Sequence, residues 1–300
     1  MDIKQMEYFT VLAKELHFTK AAEKLGISQP SLSQQIRLLE HEIGTPLFDR
    51  IGKKTMLTGA GKILLEHARK VFYELEQAKL AINDLKGLQR GRLVSGALLT
   101  VVSYLLPPSV LEFHKKYPNI ELKILGLRTG DIVDGLLENE LDLGIGSFPA
   151  APEEIQSIPL FTEKLALAVP KKHQFPDQPE PSLLSLAKHP SILLPDHYYL
   201  RQQVNQACKE LGFSPRPMFE MTSMTTIINM VSEGIAITVL PLPYLKFVSH
   251  PKIDILPLDN PSLTRHIVVA YHRDRYRSAA ANAFIEQLTQ FPLKINSFHR

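Results

Sequence analysis

A single cysteine, Cys208, stands in the 300 residues. A lone thiol excludes an intrachain disulfide framework and fits a reducing compartment. It reads as a small, partly buried side chain on a helix, and the want of a resolving thiol argues against a redox sensor. Long apolar runs are missing too. The nearest approach to a membrane span, GIAITVLPLPYLKF, is short and broken by Pro241 and Pro243, where about 18 uninterrupted apolar residues are needed. The amino end, MDIKQMEYFTVLAKELHF, carries charges throughout and has none of the apolar core of an export signal. The expectation is a cytoplasmic chain with no membrane partner. Nor is there a charge excess: 34 Lys and Arg face 31 Asp and Glu. Composition therefore names no nucleic-acid partner, and any basic surface has to be local.

Motifs of catalysis are lacking as well. TGAGKILL has Met56 where a phosphate-binding loop needs its first glycine, and Ile63 where it needs Ser or Thr. GIGSFP has no third glycine for a dinucleotide turn. No G-x-S-x-G elbow occurs, and the eleven histidines fall into no H-E-x-x-H or cysteine-rich metal spacing. Asp131, Asp134, Glu140 and Asp142 sit at the ends of expected helices and strands, as caps and solvated charges rather than an acid–base pair. No catalytic, metal or cofactor residue is assigned, and the chain is expected not to be an enzyme.

What is present is organised. Three hundred residues suit two or three domains, and 44% hydrophobic with 22% charged residues describes a globular chain with ample core. Residues 1–58 hold short helical segments with tight turns, and 59–87 a single long helical pattern. From 88 to 300, β-branched strands alternate with helices, which predicts α/β architecture with a mostly parallel sheet.

Within the first segment a helix is predicted from Ile3 to Leu16, with Met6, Phe9, Ala13 and Leu16 on one face. Thr19 is placed to cap a second helix that ends near Leu25, and Gly26 supplies the positive φ that closes it. Ser28 can cap a third helix, with Pro30 in the first turn. Helix, glycine turn, helix is the arrangement that lays a second helix in the DNA major groove. Leu32, Ile36 and Leu39 face a small core, while Gln29, Ser31, Ser33, Gln34 and Arg37 fall largely on the other side. Gln can bond the N6/N7 edge of adenine, and Ser can bond base edges or phosphate. The alternative is an ordinary helical hairpin with a polar face.

Leu47 and Phe48 then begin a strand, Gly52 allows a turn, and Met56–Leu57 return. Arg50, Lys53 and Lys54 give this small wing cations suited to phosphate or the minor groove; by itself a lysine pair on a turn is a solvated tip. Thr58 can cap the long helix. There Leu64, Val71, Leu75, Ala78, Ile82 and Leu85 follow spacings of 7, 4, 3, 4 and 3, with His67 or Ala68 filling the gap. About 28 residues reach roughly 42 Å. Such a striped rod needs a partner, either a second copy or its own C-terminal domain.

These residues carry a resemblance. FTKAAEKLGISQPSLSQQIRLLEHEIGTPLFDR followed by LTGAGKILLEHARKVF closely resembles the DNA-binding domain of LysR-type transcriptional regulators. The order of LPPSVLEFHKKYPNIELKI, ELDLGIG, LALAVPKKHQF and MVSEGIAITVLP resembles the landmarks of that family's effector-binding domain. One departure is Gln34, where the family often has Arg, so no base preference is carried over at that position. The resemblance implies a winged helix-turn-helix, a dimerising linker helix, and a two-lobed domain similar to type II periplasmic binding proteins. It further implies a homodimer, often paired into a tetramer, that bends promoter DNA in response to a small metabolite, with RNA polymerase as a further partner. The lobes would span about 91–161 with 266–300, and about 162–265. On that footing Pro30 shapes the reading helix and touches a thymine methyl, while Thr19, Arg50, Lys53 and Lys54 hold backbone or minor groove.

In the α/β part, ligands belong beyond the carboxyl ends of strands, where helix N-termini offer free N–H groups. The effector candidates there are Thr100, Ser103, Arg128, Thr129, His197, Tyr198, Tyr199, Arg201 and Thr222. Thr100 and Thr129 match positions that resemble effector contacts of the family, and each residue could equally be a helix cap, an exposed charge or a lobe contact. The expected ligand is a small anionic metabolite. Two rivals remain. A transporter's solute-binding protein leaves residues 1–86 unexplained, and an enzyme using the helix-turn-helix to oligomerise would have to show turnover.

Overall fold

Phe9 and Phe48, distant in sequence, meet with ring centroids 5.4 Å apart, and the first core of the chain is built around them. The computed structural model describes residues 1–51, 54–84, 91–172, 182–258, 260 and 263–295. It divides into two compact units, 1–83 and 84–300.

The first unit runs α1 (Ile3–Glu15), α2 (Phe18–Leu25), α3 (Gln29–Ile43), β1 (Phe48–Ile51), β2 (Lys54–Leu57) and α4 (Gly59–Asp84). Asp2 and Gln5 form a reciprocal capping box at the start of α1, which satisfies two backbone donors that a bare helix end would leave open. Met6, Phe9 and Ala13 are buried as the periodicity predicts. Leu16 is not: it closes α1 in a left-handed conformation and is 44% exposed, and fully buried Leu12 belongs to the core instead. The cap of α2 also differs. His17 takes that position, its Nδ1 accepting from the Lys20 N–H at 3.4 Å, and Thr19 lies exposed in the first turn. The helix starts earlier because the Phe18 ring packs against the core, 6.4 Å from that of Phe48.

Ser28 caps α3, accepting from the Ser31 N–H, and Pro30 occupies its first turn. Glu40, near the far end, accepts from the N–H groups of Leu47 and Phe48 at 2.9 and 3.2 Å, which ties the hairpin β1–β2 to α3. The Thr58 hydroxyl accepts from the Gly61 N–H and donates to the Pro46 carbonyl, fixing the start of α4 against the wing. Along α4, Ala68 is buried and Leu64 packs on the first core, whereas Val71, Leu75 and Ile82 are exposed at 39%, 37% and 61%. Leu85 lies outside the described residues.

The second unit begins with β3 (Gly91–Leu98), α5 (Leu99–Val102), α6 (Leu106–Lys116), β4 (Ile120–Leu127), α7 (Thr129–Leu137), β5 (Leu143–Gly146) and β6 (Ile155–Pro170). It continues with α8 (Ser185–Lys188), β7 (Ile192–Leu193), α9 (Tyr199–Glu210), β8 (Phe219–Glu220), α10 (Met224–Ser232), β9 (Thr238–Pro241) and α11 (Leu242–Val248). The last elements are β10 (Ile253–Pro257), β11 (Thr264–His272) and α12 (Ala279–Ile295). Seven strands join in the order β10-β6-β11-β5-β3-β4, with β9 also on β6.

The expected mostly parallel sheet is corrected. β3 is parallel to β4 and β5, but β6, β9, β10 and β11 all pair antiparallel. The cause is β6, whose 16 residues serve two neighbourhoods. Its first part pairs with β11 beside β5, and Leu165–Pro170 pair with β9 and β10. Leu165 to Val169 are all buried, a continuous apolar run because both faces are covered. A single apolar core extends from Leu93 and Phe113 to Ile227 and Phe284, the two phenyl rings crossing at 5.1 Å and 79°. Among the described residues no helix is long and apolar enough to cross a membrane.

Gly61 gives a test of the first unit. A Cβ there would press on the Leu47 carbonyl oxygen and come within 2.8 Å of the Leu57 side chain. Gly61→Ala is expected to destabilise this unit by about 1–3 kcal/mol, read as a lower thermal midpoint with the midpoint of the second unit unchanged.

Candidate functional site

The first unit carries a polar helix face on an apolar frame. Leu32, Ile36 and Leu39 of α3 are fully buried, and Gln29, Pro30, Ser31, Gln34 and Arg37 are exposed. Burying three such side chains stabilises the seat of α3 by roughly 1.5–3 kcal/mol each. Ser33 is the exception to the predicted face and is corrected: it is 9% exposed. At about 100° per residue it falls beside Leu32 on the flank of the buried stripe. The Arg37 Nε donates to its carbonyl at 3.3 Å. Thr19 lies exposed in α2. Arg50 stands opposite Thr55 in the wing and Lys54 opposite Ile51; Lys53 lies outside the described residues.

The second unit holds a narrow cleft at the carboxyl ends of β3 and β4, the place where open α/β sheets bind ligands. α10 begins at it with Ser223 as its cap, and so do two helices that lack such a cap, α7 and α9. The residues in their cap positions, Arg128 and Tyr198, make no side-chain cap bond. The first-turn N–H groups therefore have no intrahelical or capping acceptor. The Thr129 hydroxyl is buried without a hydrogen-bond partner. Arg265, 1% exposed, reaches the cleft from β11. Its Nε donates to Glu163 Oε1 at 2.8 Å, its Nη2 to the same oxygen and to the Thr100 hydroxyl at 3.2 Å. Glu163 Oε2 accepts from the Tyr104 hydroxyl at 2.5 Å. Burial, with the Glu163 charge beside it, pushes the Tyr104 phenol well above its ordinary range, so it stays a donor. At the rim Arg128 holds Asp131 through two bonds of 2.7 and 2.8 Å, which raises the guanidinium and lowers the carboxyl.

Of the predicted effector residues, Thr100, Arg128, Thr129, Tyr198, Tyr199 and Thr222 line this cleft together. His197 lines a wider groove outside it, between α7, the segment Phe148–Pro152 and the start of α9. Ser103 is not among the lining residues; it follows α5 and its hydroxyl turns back to the Leu99 carbonyl. Arg201 is also corrected. It is 4% exposed and bonds Asn205, the Leu194 carbonyl, Glu220 and Asp196 at 2.7–3.2 Å, away from the cleft. Two carboxylates, Asp196 and Glu220, supply the negative charge that a cation beside a helix N-terminus needs. Arg265 went unpredicted. Its signal was an arginine opening the apolar strand RHIVVAYHR, matched by Glu163 just ahead of KLALAVP.

A winged helix-turn-helix in one unit and, in the other, a largely apolar cleft at strand ends with a few hydroxyls and a buried guanidinium fit a ligand-responsive DNA-binding protein. Residues 3–62 match the bacterial regulatory helix-turn-helix protein family of lysR type, and residues 86–292 match the LysR substrate binding domain. The chain belongs to the LysR-type transcriptional regulators, which join a DNA-binding helix-turn-helix to an effector-binding domain. It is 32% identical to the hydrogen peroxide-inducible genes activator of Pectobacterium carotovorum subsp. carotovorum, over 93% of this chain and 95% of that one. Among solved structures it is similar to an aspartate-for-cysteine variant of full-length OxyR from Pseudomonas aeruginosa. There the TM-score is 0.75, identity 27%, and coverage 96% of this chain and 94% of that one. Full-length CbnR complexed with its target DNA has the same fold, with a TM-score of 0.70, 22% identity, and coverage of 97% and 99%.

The thiol in this unit is closed off. Cys208 is fully buried on α9, and burial pushes it up to about 12. At pH 8 iodoacetamide is expected to leave the native chain unlabelled and to add one carbamidomethyl group after guanidinium unfolding; native labelling would contradict this burial.

Proposed function

We propose that this LysR-type regulator reads promoter DNA with α3 as a homodimer and responds to a small anionic metabolite held in the cleft of residues 84–300. The observation that carries the first half is the exposed row Gln29, Ser31, Gln34 and Arg37 on a helix whose opposite side is anchored by three fully buried residues. Gln29 and Gln34 face adenine edges, Ser31 and Arg37 reach base edge or phosphate, and Pro30 fits against a thymine methyl. Thr19, Arg50, Lys53 and Lys54 hold the sugar–phosphate backbone or the minor groove. Pairing runs through α4, where exposed Val71, Leu75 and Ile82 at helical spacing form an unpartnered stripe. Two such dimers make the tetramer. The organisation follows as 1–58 for reading, 59–87 for pairing and 88–300 for sensing, in a reducing, cytoplasmic setting suited to a lone thiol.

Support for an anion comes from the two uncapped helix starts and the unpartnered Thr129 hydroxyl, all at one cleft. Peroxide, named for one relative, is a poor match to this chain. Peroxide oxidises an accessible thiolate, and here the single thiol of the sequence is buried and pushed up to about 12.

Footprinting of purified protein on DNA upstream of its own and neighbouring genes tests the whole reading; absence of any protected site would end it. With a site in hand, Gln29→Ala is expected to weaken specific binding by about 1–3 kcal/mol and to leave affinity for random duplex unchanged. Equal losses on both would remove Gln29 from base reading. Thr129→Val is expected to abolish stabilisation of the chain by small carboxylates in a calorimetric screen, whereas hydrogen peroxide alters neither variant nor parent. A peroxide-dependent change in DNA binding by the parent would overturn the metabolite assignment.

A further inference from the structure

Arg265 is the one cation lining the cleft that is almost wholly buried, and its charge is already answered. Glu163, 0% exposed, takes two of its N–H groups on one oxygen and the Tyr104 hydroxyl on the other. Thr100, from the first turn after β3, accepts a further bond. No described residue accepts from Nη1. The other cation at the cleft, Arg128, is paired with Asp131. An anion entering the cleft thus meets two neutral pairs and no free positive charge.

We propose that Glu163 is a specificity-determining residue of the cleft: as the built-in counter-ion of Arg265 it excludes common small anions and admits only a ligand that supplies enough further contacts. This inference rests on the cleft being the effector site. The physical argument is a comparison of charges. Were Arg265 alone, a buried guanidinium would recruit any chloride or acetate that fits, since isolated charges in a poorly solvated site are strongly unfavourable. With Glu163 in contact, an incoming carboxylate gains attraction from Arg265 and loses about as much to repulsion by Glu163 at similar range. What then decides binding is the rest of the ligand: its bonds to the Thr129 hydroxyl and the first-turn N–H groups of α7 and α9, and its packing on Leu98, Leu127 and Met224. Glu163 need not touch the ligand. It acts through Arg265.

The test uses the full chain, sodium acetate as probe and constant ionic strength, with binding read from the thermal midpoint by calorimetry. Glu163→Gln keeps an acceptor for Arg265 and removes the charge. It is expected to lower the midpoint in acetate-free buffer and to bind acetate at least about tenfold more tightly than the parent chain. Glu163→Asp, which restores the charge, is expected to return acetate affinity to within about threefold of the parent. An acetate response of Glu163→Gln equal to or weaker than that of the parent overturns the proposal. If Glu163→Gln does not fold, its rescue decides: recovery of the folded state by sodium acetate beyond that by an uncharged osmolyte supports the proposal, and no such recovery overturns it. A parent chain that binds no carboxylate from a screen of organic acids counts against the effector reading alone, because the difference between variant and parent still reports on Glu163.

Discussion

The second unit depends on one buried ion pair. Glu163 on β6 and Arg265 on β11 face each other across the antiparallel register of the two long strands, and the strands cannot separate there without leaving a charge in the core. Removing one partner of such a pair costs roughly 3–5 kcal/mol, far more than the intact pair contributes relative to apolar packing. Its value lies in position. Tyr104 and Thr100 come from the segment after β3, so the pair fastens three parts of the chain at the floor of the cleft. A register slip of β11 by one residue would turn Arg265 to the other face and strand Glu163.

The first unit solves a different problem, which is to hold a polar helix face steady with very few residues. Its described core comprises eleven buried side chains from Tyr8 to Phe48, too few to fix α3 by packing alone. Hydrogen bonds to the backbone do the rest: Ser28 at one end of α3, and Glu40 reaching the wing from the other. Each net bond contributes about 1 kcal/mol. Glu40 thus ties the start of the wing to α3 within this unit.

Much of this was legible in the chain. Alternation, glycine closures and cap residues placed α1 to α4 within a residue or two, and the hydroxyls Thr100, Thr129 and Thr222 could be assigned to strand ends and helix starts. Where local pattern was ambiguous the outcome turned on tertiary contacts. Ser33 sits 100° from Leu32, on the boundary between faces, and only the neighbouring helices decide which side is wet. Thr19 and His17 both have cap chemistry, and the packing of Phe18 chose between them. Arg201 has a helix N-terminus behind it and two carboxylates ahead, and Glu220 arrives from a distant strand that spacing does not reveal. The antiparallel course of β6 was hidden for the same reason. KLALAVP reads as a complete buried strand, and nothing in IQSIPLFT signals that it continues the same one.

The cleft also explains how a ligand could matter beyond its own contacts. α7 follows β4, on the β11 side of the seven-stranded sheet, and α9 follows β7, which is linked through the Ser191–Ile237 bridge to the segment leading into β9, the neighbour of β6. A ligand that satisfies the first turns of both helices is bound more tightly at one separation of the two sides than at any other, and differential affinity of that kind is what shifts a conformational equilibrium. Strands that pass between the two sides can flex at their ends without losing register, as hinges do. The bulge lies in β6, where Leu160 is left over between Phe161, opposite Ile267, and Pro159, opposite Val268, three residues from Glu163. A bulge strengthens local twist and weakens the ladder where it stands. Glu163 and the bulge are thus neighbours on β6, so the strand that carries the buried carboxylate also carries the point where its ladder is weakest.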